Sequence, residues 1–187
     1  MNPRSLIALA GLTLLATACG GSDKKSPTEP GGENDNSSYS ASISGGYTKS
    51  LTGTSAFASD NSQTEVGFAL ALGTEEGNNN AIVIWRRQSG VLAAGTYQFA
   101  DYSNIEDPAD VPANELVGIT VFDLTQESAV LCVSTSGTLT ITQSSANRLK
   151  GNVSMAASCL DSSGAEKTIN VTGTFDAVGG TVVIPNG

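Results

Sequence analysis

The sequence predicts an all-β domain: a single antiparallel β-sandwich of about ten short strands, with an up-and-down β-barrel as the alternative. Apolar and polar residues alternate along several segments, turn-forming residues separate these segments, and no segment after the first twenty residues has a helical period. The alternation is clearest at 64–72, where Val66, Phe68, Leu70 and Leu72 share one face. The sandwich is favoured because the predicted strands are short.

Ten segments have the residue pattern of strands. Segments 81–85 and 116–124 are almost continuously apolar, which is typical of central strands. Pairs such as Ser89-Gly90 and Ser136-Gly137 are interpreted as turns between strands. In chain order the predicted strands are 40–44, 54–58, 64–72, 81–85, 97–100, 116–124, 129–134, 137–143, 149–157 and 167–176.

The first 38 residues have a different composition from the rest. Arg4 is followed by an apolar segment at 5–16, which is shorter than the roughly 20 residues that a membrane-spanning helix needs. Residues 20–38 contain Gly, Ser, Pro, Asn and charged residues but no apolar side chain, so they are predicted to be a flexible tether. The predicted organisation is a signal peptide at 1–18, a lipidated tether at 19–38 and the β domain at 39–187.

The end of the apolar segment resembles a bacterial lipoprotein signal. The run 14–21 reads LLATACGG, with Ala16 where the lipoprotein consensus prefers Leu. The resemblance implies that Cys19 carries diacylglycerol and that its new amino group carries an acyl chain such as palmitate, which together anchor a protein stably. It further implies a cell-envelope location at the outer membrane, because residue 20 is Gly rather than Asp. The alternative is an ordinary secretory signal with an incidental Cys.

Four short motifs in the predicted domain are similar to those of small β-rich bacterial lipoproteins of unknown function. They are GTYQF at 95–99, SGTLTI at 136–141, LKGNV at 149–153 and VTGTF at 171–175. The resemblance covers about residues 65–176. It implies a β domain and brings no catalytic residues with it.

Lipidation of Cys19 would leave Cys132 and Cys159 as an even pair in an exported protein. Oxidising compartments favour a disulfide for such a pair. No CxxC motif or His is present to suggest a redox-active or metal-binding pair instead. We therefore expect a Cys132–Cys159 bridge.

The charge balance argues against a nucleic-acid partner. The chain has 9 basic and 18 acidic residues, a formal net charge of −9, and its basic residues form no cluster larger than a dipeptide. A phosphate backbone would repel such a protein. The predicted partners are the membrane, through the lipid anchor, and an envelope protein or glycan.

Two groups of residues are candidate binding sites. Trp85, Arg86, Arg87, Tyr97 and Tyr102 could form a ligand surface, because Trp can stack on a sugar or aromatic ring and Arg can bind a carboxylate with two hydrogen bonds. The alternative interpretation is that the aromatic residues fill the core.

The acidic loop at 101–115 is the second candidate. It offers carboxylates for a weak calcium site, because hard cations bind several converging oxygens. The competing interpretation is a solvated loop. The candidate ligands are Asp101, Glu106, Asp107 and Asp110.

The sequence offers little for catalysis. Without His, a Ser-His-Asp triad and a His-ligated zinc site are both excluded. No cofactor is predicted. The expected function is therefore a non-enzymatic binding or structural module. The alternatives are a glycan hydrolase that uses two carboxylates and a barrel that carries a small apolar ligand.

Overall fold

The computed structural model describes residues 36–59, 66–73, 80–125, 128–160 and 164–180. The predicted signal peptide, Cys19 and most of the tether lie outside these residues. The described residues form nine strands and two short 3₁₀ turns, Tyr102–Asn104 and Pro108–Asp110. The strands are β1 Ser38–Gly45, β2 Lys49–Ser59, β3 Phe68–Gly73, β4 Ala81–Arg86, β5 Gly95–Gln98, β6 Val117–Thr125, β7 Ser128–Ser144, β8 Arg148–Leu160 and β9 Glu166–Gly179.

Eight of the strands in the described part form a closed antiparallel barrel. Their order is β7-β6-β4-β3-β2-β1-β9-β8, and β8 pairs with β7 to close the ring. The all-β antiparallel prediction is confirmed, and the architecture is the barrel that was the alternative rather than the favoured sandwich. The strands are not all short: β7, β8 and β9 have 17, 13 and 14 residues. Long strands can tilt and join their edges, which removes the free edges of an open sheet.

The longest strand corrects the prediction of two strands at 129–134 and 137–143. Both belong to β7, and a bulge between Ser134 and Ser136 lies where a turn was predicted. The extra residue changes which side chains face inward, because Cys132 and Ser134 are buried before the bulge and Leu139 and Ile141 after it. Gly137, at φ +125°, follows this bulge.

The interior of the barrel is filled by apolar side chains. Residues that alternate along the strands turn inward, and the largest of them are fully buried. Small barrels of eight strands commonly fill their interiors in this way. The fully buried large side chains include Phe57, Phe68, Phe122, Ile43, Leu51, Leu70, Leu72, Ile82, Ile84, Leu92, Leu116 and Leu139.

A second, smaller core lies outside the barrel wall. The connection from β5 to β6, with its two 3₁₀ turns, covers the outer face of β3, β4 and β6. For this reason Ala69, which lies between the inward residues Phe68 and Leu70, is buried as well. The cluster consists of Ala69, Trp85, Ala100, Val111 and Val117, with Val66, Tyr102, Ile105 and Ile119 packed against it.

The predicted bridge between Cys132 and Cys159 is present. The two residues are direct partners in the β7–β8 ladder, and both are fully buried. They are 27 residues apart in the sequence. In the loop-entropy treatment, closing a loop of this length stabilises the folded state by roughly 3 kcal/mol.

Two buried serine hydroxyls lie where a strand changes its neighbour. Along one edge, β7 pairs first with β6 and then with β5. Beside this change, the Ser134 hydroxyl accepts a hydrogen bond from the Gly118 amide at 3.1 Å and donates one to the Ala100 carbonyl at 3.0 Å. Where β2 changes from β1 to β9, the Ser55 hydroxyl lies 2.9 Å and 3.0 Å from the carbonyl oxygens of Ser38 and Asp176. Both hydroxyls bind backbone groups near a change of strand partner.

We predict that Ser134→Ala lowers the free energy of unfolding by roughly 1–3 kcal/mol, because it leaves a buried amide and a buried carbonyl without this partner. Urea unfolding followed by circular dichroism measures the change. Ser136→Ala is the matched control on the same strand, since Ser136 is exposed, and it should change stability by less than about 0.5 kcal/mol. Equal effects of the two substitutions would contradict this role for Ser134.

Candidate functional site

The connection at 87–94 crosses one end of the barrel. We call this the Ser38 end, because β1 begins there, while β4 ends there at Arg86 and β7 ends there at Ser144. Leu92 in the connection is fully buried. Its carbonyl accepts a hydrogen bond from the Ser144 hydroxyl at 2.7 Å, and the Tyr97 hydroxyl donates to the Ala93 carbonyl at 2.9 Å. The connection is thus fastened to both β5 and β7.

Arg86 is buried beneath this connection. It is the direct partner of Phe68 in the β3–β4 ladder, so its side chain turns inward, and it is only 7% exposed. One Nη donates to the Gly90 carbonyl at 3.1 Å. The guanidinium lies 5.9 Å from the Phe68 ring centroid and 5.7 Å from that of Tyr97. Its Nε is buried and has no hydrogen-bond partner in the described residues.

The surroundings of Arg86 are unusual for a buried cation. Buried charges are normally paired with an opposite charge, because removing a charge from water is costly. In the described part of the chain the two ion pairs involve other residues, Arg148 and Lys150 with Asp176. Burial accordingly lowers the pKa of Arg86, and Tyr97 opposes that shift. The faces of the two aromatic rings offset part of the cost through cation–π attraction.

The predicted ligand surface is divided into separate groups. Trp85 and Arg86 are consecutive in β4, so they lie on opposite faces of the wall. Trp85 packs in the outer cluster, with its ring edge-on to Tyr102 at 6.0 Å. Arg87 reaches the 99–116 connection, where it donates hydrogen bonds to the carbonyls of Ala109 and Val111. Arg86 and Tyr97 come together at the Ser38 end, and Trp85 and Tyr102 come together in the outer cluster.

The acidic loop uses two of its carboxylates to cap turns. Asp101 accepts hydrogen bonds from the Ser103 amide at 3.1 Å and from the Ser103 hydroxyl at 2.6 Å, and it caps the first 3₁₀ turn. Asp107 accepts from the Ala109 amide at 2.8 Å and caps the second. Burial raises the pKa of Tyr102, and the nearby charge of Asp107 raises it further.

Across the described residues, no three side chains of His, Cys, Asp or Glu lie close enough to hold a metal ion. The predicted ligands Asp101, Glu106, Asp107 and Asp110 are therefore not brought together as a calcium site. Two of these acids, Asp101 and Asp107, instead cap one 3₁₀ turn each, and such a cap needs only one carboxylate.

A cluster of charges on β8 and β9 was not predicted. Arg148 donates to both carboxylate oxygens of Asp176, at 2.6 Å and 2.9 Å, and the Lys150 ammonium lies 2.9 Å from the same group. The hydrogen bonds from Arg148 are the main reason that the pKa of Asp176 is lowered. Nothing in the sequence marks this cluster, because Arg148 and Lys150 are 28 and 26 residues from Asp176 and meet it only through the register of the two strands.

A shallow groove of about 290 Å³ lies beside this cluster, between β1 and β9. Tyr39 lines it, and the hydroxyl of Tyr39 is buried without a partner in the described residues. Burial raises the pKa of Tyr39 to about 12, so this hydroxyl keeps its proton at neutral pH.

The outer surface also carries two rows of uncharged hydrogen-bonding side chains, which we call the hydroxyl face. Each row crosses six strands in the order β2, β1, β9, β8, β7 and β5, and neighbours in a row are direct strand partners. Strands lie about 4.8 Å apart, so these side chains form a regular array. The first row is Thr52, Ser40, Thr174, Asn152, Thr140 and Thr96, and the second is Ser50, Ser42, Thr172, Ser154, Thr138 and Gln98.

Comparison with known proteins assigns no family to this arrangement. No protein-family model matches the sequence, and no curated protein or solved structure is significantly similar to it. The resemblance to β-rich lipoproteins therefore stays a prediction. In the described residues, no helix has both the length and the apolar character needed to cross a membrane.

We predict that Asp176→Asn destabilises the protein at neutral pH by about 1 kcal/mol, the scale of a partly exposed ion pair. Because the folded protein lowers the pKa of Asp176, the pairing stabilises above its ordinary value of 3.8 and is lost as the pH falls through the folded-state pKa. The difference in the free energy of unfolding between the wild type and Asp176→Asn should therefore be largest at pH 7 and vanish in acid. Urea titrations across this range test it, with Glu166→Gln as an exposed control on the same strand. A difference independent of pH would contradict the assignment.

Proposed function

We propose that this protein is a lipid-anchored, non-enzymatic binding module of the cell envelope, which recognises its partner with the outside of the barrel. The observation that carries the proposal is the packed interior, because the largest inward side chains are fully buried and fill the space that a ligand would need. The signal-like run ending at Cys19 and the polar tether behind it support the anchor.

The hydroxyl face is the surface best suited to this role. Ten of its twelve side chains are exposed and none is charged, although the chain as a whole carries a net charge of −9. Ser and Thr have short side chains that lose little conformational freedom when they are held in place. Such a surface binds through hydrogen bonds rather than through ion pairs or aromatic stacking.

This chemistry favours a neutral, hydroxyl-rich partner, and we propose an envelope glycan. A highly charged partner would find no opposite charge in the two rows, and an apolar one would leave their hydroxyls and amides without partners. A glycan offers donors and acceptors to satisfy them. The location implied by the lipoprotein signal would bring the domain next to such material.

The two rival functions have less support. A carrier of a small apolar ligand needs an empty apolar interior. A glycan hydrolase needs one carboxylic acid that stays protonated near neutral pH. The carboxylates of Asp101 and Asp107 cap turns, and the pKa of Asp176 is lowered rather than raised.

We predict that Cys19 carries the lipid. Cells grown with a labelled palmitate analogue should incorporate label into the wild-type protein and none into Cys19→Ala, because the acyl chains depend on this residue. Cys159→Ser, which removes a different cysteine, is the control and should keep the label. Labelling of Cys19→Ala at the wild-type level would refute the anchor.

We also predict that added charge on the hydroxyl face weakens binding to glycan. Two new carboxylates in the double variant Asn152→Asp, Thr172→Glu would have to be desolvated in the complex, so affinity should fall by at least about tenfold. Co-sedimentation with insoluble envelope glycan measures the binding. The matched control, Asn114→Asp with Gln88→Glu, adds the same charge at exposed positions outside the rows.

If both double variants lose binding equally, only net charge matters and the hydroxyl face is not the binding surface. If neither the wild type nor the control sediments with glycan, the proposed partner is wrong. Labelling at Cys19 is independent of both outcomes.

A further inference from the structure

Arg86 has more hydrogen-bonding capacity than its surroundings use. A guanidinium has five N–H donors and no acceptor. In the described residues the contacts of Arg86 are one hydrogen bond to the Gly90 carbonyl and the faces of two rings, Phe68 and Tyr97. Its Nε is buried and unpartnered. The side chain is 93% buried, so bulk water does not solvate it as it would a surface arginine.

Arg86 differs from the neighbouring cations in its depth of burial and in its number of oxygen partners. The Nε of Arg87 is also buried without a hydrogen-bond partner, but Arg87 is only half-buried and its Nη1 donates to two backbone carbonyls. Arg148 and Lys150 share the carboxylate of Asp176. Each of these side chains has an oxygen partner for its charge. Arg86 is the most buried of the four, yet it has only a single neutral carbonyl.

We propose that Arg86 is a binding site for the carboxylate group of a small organic ligand at the Ser38 end of the barrel. The proposal goes beyond the glycan-binding role and does not depend on it, since the hydroxyl face lies on the outside of the wall. A carboxylate would supply the missing negative charge and accept a hydrogen bond from Nε.

The shape and surroundings of the guanidinium favour a carboxylate over other anions. The Nε edge presents parallel donors that match the two oxygens of a carboxylate. No second cation faces the group in the described residues, since Arg87 points to the outer connection, so a singly charged anion is balanced and a phosphate dianion is not. The rings of Phe68 and Tyr97 face the guanidinium, so the rest of the ligand should be apolar or aromatic.

Two partly exposed residues lie beside this site: Tyr97, whose ring faces the guanidinium, and Val91, which follows Gly90 in the chain. Both are half-buried, whereas Phe68 and Leu92 are fully buried. The intervening connection makes its contact with Arg86 at Gly90, which has a φ of +95° and open space where a Cβ would be. A ligand would therefore approach past Tyr97 and Val91 rather than through the barrel wall.

The side-chain Nε–H resonance of Arg86 tests the proposal directly in the folded protein. Its ¹H–¹⁵N signal is identified by its absence from the spectrum of Arg86→Lys. Titration with sodium benzoate, at constant ionic strength set by chloride, should move this signal to saturation. Inorganic phosphate should bind at least about tenfold more weakly, as expected when its second charge has no partner.

Thermal unfolding gives a second readout that does not depend on assigning the resonance. Benzoate should raise the Tm of the wild type and of Arg87→Met, which removes an equal charge one residue away. Benzoate should not raise the Tm of Arg86→Met. The affinity of Arg86→Lys for benzoate should be lower than that of the wild type by about tenfold or more, because this variant lacks the Nε donor. Comparing Tm shifts, rather than absolute Tm values, keeps the test valid if a variant is less stable.

Three results would overturn the proposal. The first is an Nε signal that benzoate does not move, and the second is a benzoate-dependent rise in Tm that Arg86→Met retains. The third is an Nε signal that moves in ligand-free Asp60→Asn or Glu65→Gln. These acids flank β2 and β3 in the sequence and lie outside the described residues, and such a shift would mean that the chain supplies its own carboxylate.

Discussion

The fold depends on one strand that serves two neighbours along the same edge. β7 pairs with β6 near its start and with β5 near its end, while β8 runs along its other edge. At the change of neighbour, backbone donors and acceptors would be left buried without partners, which costs free energy. The bulge after Ser134 and the hydroxyl of that residue satisfy them. Closure of the barrel and the position of β5 both follow from this arrangement.

The same arrangement explains the long connection between β4 and β6. Because β5 must reach the far part of β7, the chain leaves β4 at Arg86, crosses the Ser38 end, and then returns along the outside to begin β6. Its first part places Leu92 in the core, and its last part covers Trp85. One topological requirement therefore produces both the buried arginine and the outer cluster.

The sequence predicted the positions of the individual strands better than the way in which the strands assemble. Alternation located most strands, because burial of one face imposes a period of two wherever the strand is regular. It failed at β7, where the bulge shifts the inward side and Ser136-Gly137 looks like a turn. Sandwich and barrel could not be distinguished, since both use the same alternation and differ only in whether the last edges join. The Cys132–Cys159 pairing was predicted correctly because the third cysteine, Cys19, lies in a run that resembles a lipidation site and was set aside.

Site residues were harder to predict for a related physical reason. Trp85, Arg86 and Arg87 looked like one surface because they are adjacent in sequence, but consecutive strand residues face opposite sides. The acids of the 101–115 loop suggested a metal site, although Asp and Asn near turns more commonly cap the local backbone. Asp176 depends on partners 26 and 28 residues away, and their approach is set by strand register alone.

The packed interior leaves the molecule two places at which to bind, and β5 belongs to both. Tyr97 turns inward to Arg86, whereas its neighbours Thr96 and Gln98 end the two rows of the hydroxyl face. The Tyr97 hydroxyl also holds the crossing connection through the Ala93 carbonyl. A carboxylate at Arg86 would have to fit against the Tyr97 ring, so any adjustment of that ring would act on the strand whose outer residues complete the hydroxyl face. The two proposed sites are thus on opposite sides of the wall but share one short strand, which is the element through which they could influence each other.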